Sequence, residues 1–384
     1  MGRQAKLTEE KTSPKKSHAQ CVREKHTEEE LDSIAKAVYQ NLTDGVVPEI
    51  RISSRTKTNI VFNDEHQVWK YGVDQVSRSA KDLSGAYGLL RTIYVMDFIK
   101  EMIGVTKTST LREMYYISEG WNLGKFHDQD DSNKVAEDLE IMTGCLREDF
   151  KLRPEEDGAR IIGNITIEEM NRKGDLKRIN CRDDVGDSGY SIPYNVEPEK
   201  IKFKSHDVDF MVAIETGGMF DRLVENGFDE DARSLLIHIK GQPARSTRRL
   251  LKRISEELKV PLVVFTDCDP WSFRIFASIA YGAIKTAHIS EYLATPGAQF
   301  LGVLPSDIEN YDLPTDKLSD QDVAALKAEL TDPRFDSDFW RNEIHLQLET
   351  KKKSEQQALA KYGLDYVTDT YLPEKLAQMG ILKK

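Results

Sequence analysis

The sequence predicts an α/β protein with a helix-rich N-terminal domain of winged-helix type, followed by a domain with a mainly parallel four-stranded sheet and flanking helices. Between Gly85 and Gly144, apolar residues recur at helical spacing. From about residue 208 onward, short apolar runs alternate with helical ones, which is the pattern of βαβ units. A chain of 384 residues is long enough for two or three domains that each bury a core.

Composition excludes several classes of protein. No window approaches the 18 consecutive apolar residues of a membrane-spanning helix, and the polar N-terminus lacks the apolar segment of a secretory signal. The scattered cysteines form no metal-binding pair or disulfide framework, which is typical of a reducing, intracellular compartment. The net charge of −11 argues against a non-specific nucleic-acid coat, but it allows cations that are concentrated in one place.

Residues 1–70 are predicted to form a mobile basic tail and a helical extension. Residues 1 to about 28 are rich in Lys, Glu, Ser and Thr and lack apolar periodicity. An amphipathic helix follows, with apolar residues at helical spacing from Leu31 to Leu42. One or two short strands are expected between Ile50 and Val68.

Residues 71–155 are predicted to form the helix-rich domain. One helix is expected from about Tyr87 to Met102, and another from about Ser132 to Met142 that stops at Gly144. Between them a helix begins at Thr110, because Thr110-Leu-Arg-Glu113 has the form of a capping box. Two helices joined by a short turn and followed by a candidate wing are similar to a winged helix-turn-helix.

The helix that begins at Thr110 carries a tyrosine with no role in the core. At about 100° per residue, its core face consists of Met114, Ile117, Ser118 and Trp121. Tyr115 falls at the edge of that face, whereas Tyr116 falls away from it, beside Arg112. A phenol, whose pKa is about 10, needs help to act as a nucleophile, and an arginine one turn away binds phosphate oxygens. Most exposed tyrosines are inert, so Tyr116 is at this point one hypothesis for a nucleophile.

The second half of the chain predicts a parallel sheet that is buried on both faces. Its strand-like runs are Val208–Ile214, Leu235–Ile239, Leu262–Thr266 and Phe300–Val303, and its helical runs are Met219–Glu225, Thr247–Leu258 and Ser272–Ile284. Residues from about 320 to 380 are helical and polar-rich, and we expect them on the flank of the sheet.

Carboxylates follow two of these strands. Glu215 ends the first, and Asp267 and Asp269 end the third. In open α/β sheets, functional residues lie at the carboxyl ends of the strands. Three converging carboxylates repel each other unless a cation lies between them, and Mg²⁺ suits such oxygen ligands. A single Asp would more often cap a helix, but the combination favours a metal site.

A basic run lies between the two acidic segments, where a strand ends and a helix begins. It contains no acid, and its cations are Lys240, Arg245, Arg248, Arg249, Lys252 and Arg253. Helix N-termini and arginines both attract phosphate, so we expect the first four to contact a nucleic-acid backbone. The alternative is a solvated helix face.

These motifs, in this order, resemble the family of the A subunits of type IIB DNA topoisomerase VI and the related meiotic double-strand-break transesterase. The sequence departs from the family at Ala244, where an acid is frequent, and at Trp271-Ser272, where an aromatic-Gly pair is usual. The matching pieces are Leu111-Arg-Glu-Met-Tyr-Tyr116, Ser132-Asn133 with Glu137-Asp-Leu-Glu140, Ile214-Glu215, Gly241-x-Pro243 with Thr247-Arg248, Asp267-x-Asp269-Pro270, and Ala294-Thr-Pro with Leu301-Gly-Val.

The resemblance implies a winged-helix (CAP-like) domain over 71–155 and a Toprim domain with C-terminal helices over 156–384. It implies that Tyr116 is the nucleophile and Arg112 its helper, and that the metal ligands for Mg²⁺ are Glu215, Asp267 and Asp269. Transesterification then leaves a 5′-phosphotyrosine and a free 3′-hydroxyl, and its reversal reseals the strand. Each composite site is assembled across a homodimer that acts on double-stranded DNA.

The resemblance also implies a partner. Directed strand passage needs ATP, but the segment from Gly120 to Lys125 has the wrong spacing for a P-loop. ATP is therefore expected on a separate GHKL-type B subunit in an A₂B₂ heterotetramer. We expect the assembly in the cytoplasm of a prokaryote-like cell, on the nucleoid and not on a membrane.

Three other functions fit parts of the sequence. A break-forming transesterase would cut without strand passage, and co-purification with a GHKL ATPase would separate the two. A haloacid-dehalogenase-like phosphatase also has Asp-x-Asp after a strand, but Trp271 stands where that family has Thr or Val. A winged-helix regulator without catalysis leaves the three strand-end acids unexplained.

Overall fold

The computed structural model describes residues 17–153, 159–171 and 173–382. These residues form two compact units. The first comprises the described residues within 1–52, 77–154 and 170–176, and the second those within 53–76, 155–169 and 177–384. Residues 1–16 of the predicted tail lie outside the described residues.

Both units contain helices as well as strands. The α-helices are α1 (His18–Thr43), α2 (Leu83–Val105), α3 (Leu111–Ile117), α4 (Gln129–Thr143), α5 (Gly217–Glu225), α6 (Phe228–Asp231), α7 (Arg245–Leu258), α8 (Pro270–Ala280), α9 (Ser290–Leu293), α10 (Pro305–Asn310), α11 (Asp320–Glu329), α12 (Asp338–Thr350) and α13 (Leu372–Gln378). The strands are β1 (Glu49–Ser53), β2 (Ile60–Asn63), β3 (Val68–Tyr71), β4 (Gln75–Ser79), β5 (Ser109–Thr110), β6 (Leu152–Arg153), β7 (Arg160–Ile162), β8 (Ile165–Met170), β9 (Leu176–Asn180), β10 (Tyr190–Ser191), β11 (Ile201–His206), β12 (Phe210–Ile214), β13 (Ser234–His238), β14 (Leu262–Phe265), β15 (Gln299–Gly302), β16 (Asp316–Lys317) and β17 (Lys352–Lys353).

Helix α1 corrects the predicted extent of the tail. We expected irregular chain to residue 28, but α1 begins at His18, where the Ser17 side chain caps it by accepting from the Gln20 N–H. The buried residues of its first half are polar, so they leave no apolar stripe in the sequence. Glu24, for example, is buried and pairs with Lys151 at 2.5 Å.

The core of the first unit is formed by one apolar face from each of four helices. Leu31 of α1, Ile99 of α2, Met114 of α3 and Leu139 of α4 are all fully buried in one cluster. Strand β5 precedes α3 and pairs in parallel with β6, which follows α4. In residues 144–153, which the structure describes, β6 is the one strand after α4, so a hairpin wing is not seen there.

The main sheet of the second unit has six strands, in the order β10-β7-β13-β12-β14-β15. The four predicted strands correspond to β12, β13, β14 and β15, and they are mutually parallel. The predicted number of four strands is wrong, because β7 and β10 extend the sheet in antiparallel fashion. These two strands contain three and two residues, too few to show a pattern in the sequence.

The central strands of the main sheet are mostly apolar, as is typical of a parallel sheet that is buried on both faces. Every residue of β12, β13 and β14 is buried. Helices α5, α7 and α8 connect the strands as predicted, and each begins two residues before its expected start. Helix α12 packs on α8 through Trp340, which contacts the rings of Phe273 and Phe276.

A second sheet in this unit lies within 155–207, where no strands were predicted. Its three antiparallel strands have the order β11-β8-β9. Separately, the hairpin β2–β3 packs through Trp69 on the segment Ile284–Ile289, next to Ala287.

Candidate active site

The predicted nucleophile lies on a short, well-capped helix. The capping box of α3 is confirmed: the Thr110 hydroxyl accepts from the Glu113 N–H at 3.0 Å, and the Glu113 carboxylate accepts from the Thr110 N–H at 2.6 Å. Tyr116 is 58 % exposed, and Arg112 is exposed one turn before it. Tyr115 is half-buried against the core, with its ring 5.3 Å from that of Tyr116.

The predicted core face of this helix is only partly correct. Met114 and Ser118 are fully buried, but Ile117 is 46 % exposed. Helix α3 ends at Ile117 and continues as 3-10 turns at Ser118–Gly120 and Asn122–Gly124.

The structure brings the three acids of the second unit to one edge of the main sheet. Strands β12 and β14 are adjacent and parallel, with Ile214 opposite Phe265, so Glu215 and the loop after β14 emerge together. The Glu215 carboxylate accepts from the Asp267 N–H at 3.2 Å. Asp269 follows in the same loop and is the N-cap of α8.

Two residues that were not predicted to belong to the site hold these acids in place. The Ser272 hydroxyl donates to Glu215 at 2.8 Å, and the Ser272 N–H donates to Asp269 at 2.8 Å. Ser272 stood out in the sequence only as a departure from the family, yet it bridges two of the acids. The Gln356 N–H donates to Asp267 at 2.8 Å. The two residues are 89 positions apart, so no local sequence pattern predicts this contact.

The alternative interpretation of Asp269 as a capping residue is confirmed. One of its oxygens accepts from Ser272, the third residue of α8, as an N-cap does. Capping uses one oxygen of the carboxylate and leaves the second oxygen without a hydrogen bond to the described residues. A structural and a metal-binding role are therefore compatible in one side chain.

Two of the acids at this edge, Glu215 and Asp267, have raised pKa values. Burial raises the pKa of Glu215, and the charge of Asp269 adds to the rise, against hydrogen bonds that lower it. Burial, with repulsion from Glu215 and Asp269, raises the pKa of Asp267 to about 7. A cation at this edge would relieve the repulsion.

The donor set fits a hard divalent cation, although the acids do not enclose one. Among the described residues, no three His, Cys, Asp or Glu side chains are arranged to hold a metal ion. Each of the three carboxylates nevertheless has only one oxygen engaged by its hydrogen bonds to backbone and serine donors. The remaining carboxylate oxygens are ligands of the kind that Mg²⁺ prefers.

The basic run does not form one exposed cationic surface. Lys240 is exposed, in a left-handed turn before α7, and Arg245 begins that helix half-buried. Arg248 is buried. Arg249 pairs with the buried Glu197 at 2.9 Å and lies 4.0 Å from the ring centre of Tyr292, so its charge is used inside the unit. The predicted backbone contact by Arg249 thus conflicts with its place in the fold.

Family models match most of the chain. The model "Type IIB DNA topoisomerase" matches residues 87–152, and "All-beta domain in DNA topoisomerase VI alpha subunit" matches 155–207. The model for the Toprim domain of the topoisomerase 6 A subunit and Spo11 matches 210–376. The segment 155–207 contains β8, β9 and β11, and it was predicted to belong to the Toprim domain.

Curated relatives are similar over nearly the whole chain. The A subunit of type 2 DNA topoisomerase 6 from Archaeoglobus fulgidus is 59 % identical over 352 residues, which is 92 % of this chain and 97 % of the relative. The proteins of the same name from Methanosarcina mazei and Haloarcula marismortui are 55 % and 54 % identical, over 92 % of this chain and 95 % and 96 % of their own lengths.

The fold and the acidic edge thus define a Toprim protein of the type IIB DNA topoisomerase class. Within that class, the chain belongs to the family of the A subunits of type 2 DNA topoisomerase 6. In the part of the chain that the structure describes, every helix is too short or too polar to span a membrane.

Proposed function

We propose that this chain is the DNA-cleaving and rejoining subunit of an ATP-dependent type IIB topoisomerase. The proposal rests on the positions of two sets of side chains, each within a segment that a family model matches. An exposed tyrosine, Tyr116, lies in the segment matched by the type IIB model, and the acidic edge of Glu215, Asp267 and Asp269 lies in the Toprim match. The first segment belongs to the predicted winged-helix domain of 71–155.

Tyr116 acts as the nucleophile in this mechanism. Its phenol oxygen gives up its proton and attacks a backbone phosphorus, forming a P–O bond to tyrosine while the bond from phosphorus to the 3′-oxygen breaks. The departing 3′-oxygen takes up a proton and becomes the free 3′-hydroxyl. Arg112 binds the non-bridging phosphate oxygens and favours the phenolate. Attack of the 3′-hydroxyl on the phosphotyrosine reverses each change and reseals the strand.

The acidic edge supplies carboxylate oxygens that would bind Mg²⁺ beside the reacting phosphate. Glu215, Asp267 and Asp269 would hold the ion, which when bound neutralises charge on the phosphate and the leaving oxygen. Ser272 and Gln356 keep one oxygen of each carboxylate fixed, so the other oxygens point away from these donors. Lys240 and Arg245 remain candidates for backbone contact, whereas the buried Arg248 and the paired Arg249 do not.

The assembly is proposed from the family and from the absence of an ATP motif in the sequence. A homodimer of this chain would supply two composite sites, one per strand of double-stranded DNA. The relatives are named as A subunits, which supports a second kind of subunit in the complex. For that partner we propose a GHKL-type ATPase in an A₂B₂ heterotetramer. We place the complex on the nucleoid in the cytoplasm.

The experiment that tests the function compares two adjacent tyrosines. Tyr116→Phe removes the phenol oxygen from an exposed ring, so covalent protein–DNA adducts should fall at least about 1,000-fold with supercoiled DNA, Mg²⁺, ATP and the partner subunit. Tyr115→Phe is the matched control and should retain adducts. Adducts that persist in Tyr116→Phe but vanish in Tyr115→Phe would move the assignment to Tyr115. Adducts that persist in both variants would contradict the assignment of the nucleophile to either tyrosine.

Resealing separates the topoisomerase from a break-forming transesterase. Raising the salt concentration after cleavage, with Mg²⁺ still present, should let a topoisomerase release intact supercoiled or relaxed circles. Permanently linear DNA under the same conditions would favour the break-forming alternative.

A further inference from the structure

An indole ring beside the acidic loop is exposed and yet held in place. Trp271 is the second residue of α8, directly after Asp269 and Pro270, and it is 48 % exposed. Its Nε1–H donates to the Asp322 carboxylate at 3.0 Å. The guanidinium of Arg274 lies 5.0 Å from the ring centre. The ring is thus fixed by its edge and by a neighbouring cation and cannot turn inward without losing both contacts.

The anchor of this ring is a buried, ionised carboxylate. Asp322 is 3 % exposed, and besides Trp271 it accepts from the Ser319 N–H at 3.0 Å and from Lys353 Nζ at 3.0 Å. Burial alone would raise the pKa of Asp322, but these hydrogen bonds outweigh it and lower the pKa to about 2. A buried anion with three donors is a rigid support, because loss of any donor leaves charge uncompensated.

The support also ties the ring to the acidic loop. Lys353 lies in β17, and the carbonyl of the next residue, Ser354, accepts from the Cys268 N–H at 2.8 Å. Cys268 stands between Asp267 and Asp269. The chain segment that anchors Trp271 therefore pairs with the loop that carries two of the three acids.

The cations near the ring are already neutralised. Lys353 pairs with Asp322, and Arg274 pairs with the buried Glu329 at 2.9 Å. This surface therefore offers an aromatic face and not an unpaired charge. Such a face suits the base or sugar of a nucleotide better than its phosphate.

We propose that the exposed face of Trp271 stacks on a nucleotide next to the phosphate that is cleaved. The inference rests on the proposed function, because it takes the bound molecule to be DNA at the acidic edge. A ring that is already fixed loses little conformational entropy on binding. Stacking on an aromatic ring tolerates every base, so the contact positions DNA without selecting a sequence.

The test measures DNA binding without cleavage. The chain, assembled with its partner subunit in chelator, is titrated into a short fluorescent duplex at several salt concentrations. Trp271→Ala should raise Kd roughly 5- to 100-fold, the range for removal of a stacking aromatic. Trp271→Phe should stay within about threefold of the parent, because stacking needs a ring and not the indole N–H. The salt dependence should not change, since no phosphate contact is lost.

The controls separate this inference from the proposed function. Phe339→Ala removes an aromatic of similar exposure on α12 and should leave Kd unchanged. Trp271→Leu keeps bulk without the ring and should bind as weakly as Trp271→Ala. An unchanged Kd in Trp271→Ala, or equal losses in the Phe and Ala variants, would overturn the stacking contact. A parent complex that does not bind DNA at all would instead overturn the proposed function.

Discussion

At the scale of single residues, the acidic edge uses the same hydrogen bonds for folding and for its proposed chemistry. Asp269 caps α8, and Ser272 of that helix donates to Glu215 as well. The first turn of α8 therefore fixes two acids from different strands. A change at Ser272 should disturb both the start of the helix and the geometry of the acids.

A buried histidine at the end of β13 makes the stability of the second unit depend on pH. His238 is buried, its ring lies 5.7 Å from that of Phe220, and its Nδ1 lies 3.4 Å from the Arg160 guanidinium. Burial, with the charge of Arg160, lowers the pKa of His238 to about 4. The imidazole is therefore neutral in the folded protein at pH 5, whereas in the unfolded chain it is protonated below about pH 6.5.

Acid should therefore destabilise the protein partly through His238. Because the unfolded state binds the proton first, stability is full above about pH 6.5 and falls as the pH drops toward 4. Between pH 7 and 5, the wild type should lose about 2 kcal/mol more unfolding free energy than His238→Gln. Urea titrations of both proteins at the two pH values measure this difference. Equal losses in both proteins would contradict the lowered pKa.

At the scale of elements, the four parallel strands of the main sheet could be predicted from the sequence, but the two short strands that extend it could not. Strands β12 and β14 are buried on both faces, so they form apolar runs, and the acids that follow them stand out. Strands β7 and β10 contain too few residues for such a pattern. The residues that hold the site in place could not be predicted either, because they are distant in the sequence. Gln356 contacts Asp267 from 89 positions away, and Asp322 contacts Trp271 from 51 positions away.

Helix α7 illustrates why a charge run is ambiguous in a sequence. The run contains six cations, but Arg253 is fully buried and donates to the Ile201 carbonyl at 3.0 Å, while Arg249 pairs with Glu197. These arginines connect α7 to Glu197 and to Ile201, the first residue of β11. The charges of these two arginines are thus engaged by partners inside the unit.

The pair between Arg249 and Glu197 should contribute stability and not DNA affinity. Arg249→Ala leaves a buried carboxylate without its partner, so the free energy of unfolding should fall by about 3 kcal/mol. Glu197→Gln should cause a similar fall, because it leaves the guanidinium without a charge partner. Chemical denaturation measures both changes.

The exposed Lys240 is the control for this pair. Lys240→Ala should leave stability unchanged and reduce the salt slope of DNA binding by about 1. The assignment of Arg249 to the fold would be contradicted if Arg249→Ala kept the parental stability and weakened DNA binding as Lys240→Ala does.

At the scale of the whole molecule, the proposed nucleophile and the proposed metal ligands belong to different compact units of one chain. Tyr116 lies in the first unit, and Glu215, Asp267 and Asp269 lie in the second. We propose that DNA is cut where Tyr116 of one copy meets the carboxylates of another. Neither copy alone would then hold a complete site.

A mixed dimer tests this claim most directly. Glu215→Gln, carrying an affinity tag, is co-assembled with untagged Tyr116→Phe and the partner subunit, and supercoiled DNA is added with Mg²⁺ and ATP. One of the two sites then combines an intact Tyr116 with intact acids. We predict nicked circles with the 5′ end linked to the tagged chain, while each variant alone gives no adduct. Absence of any adduct in the mixture, or an adduct on the untagged chain, would contradict the claim.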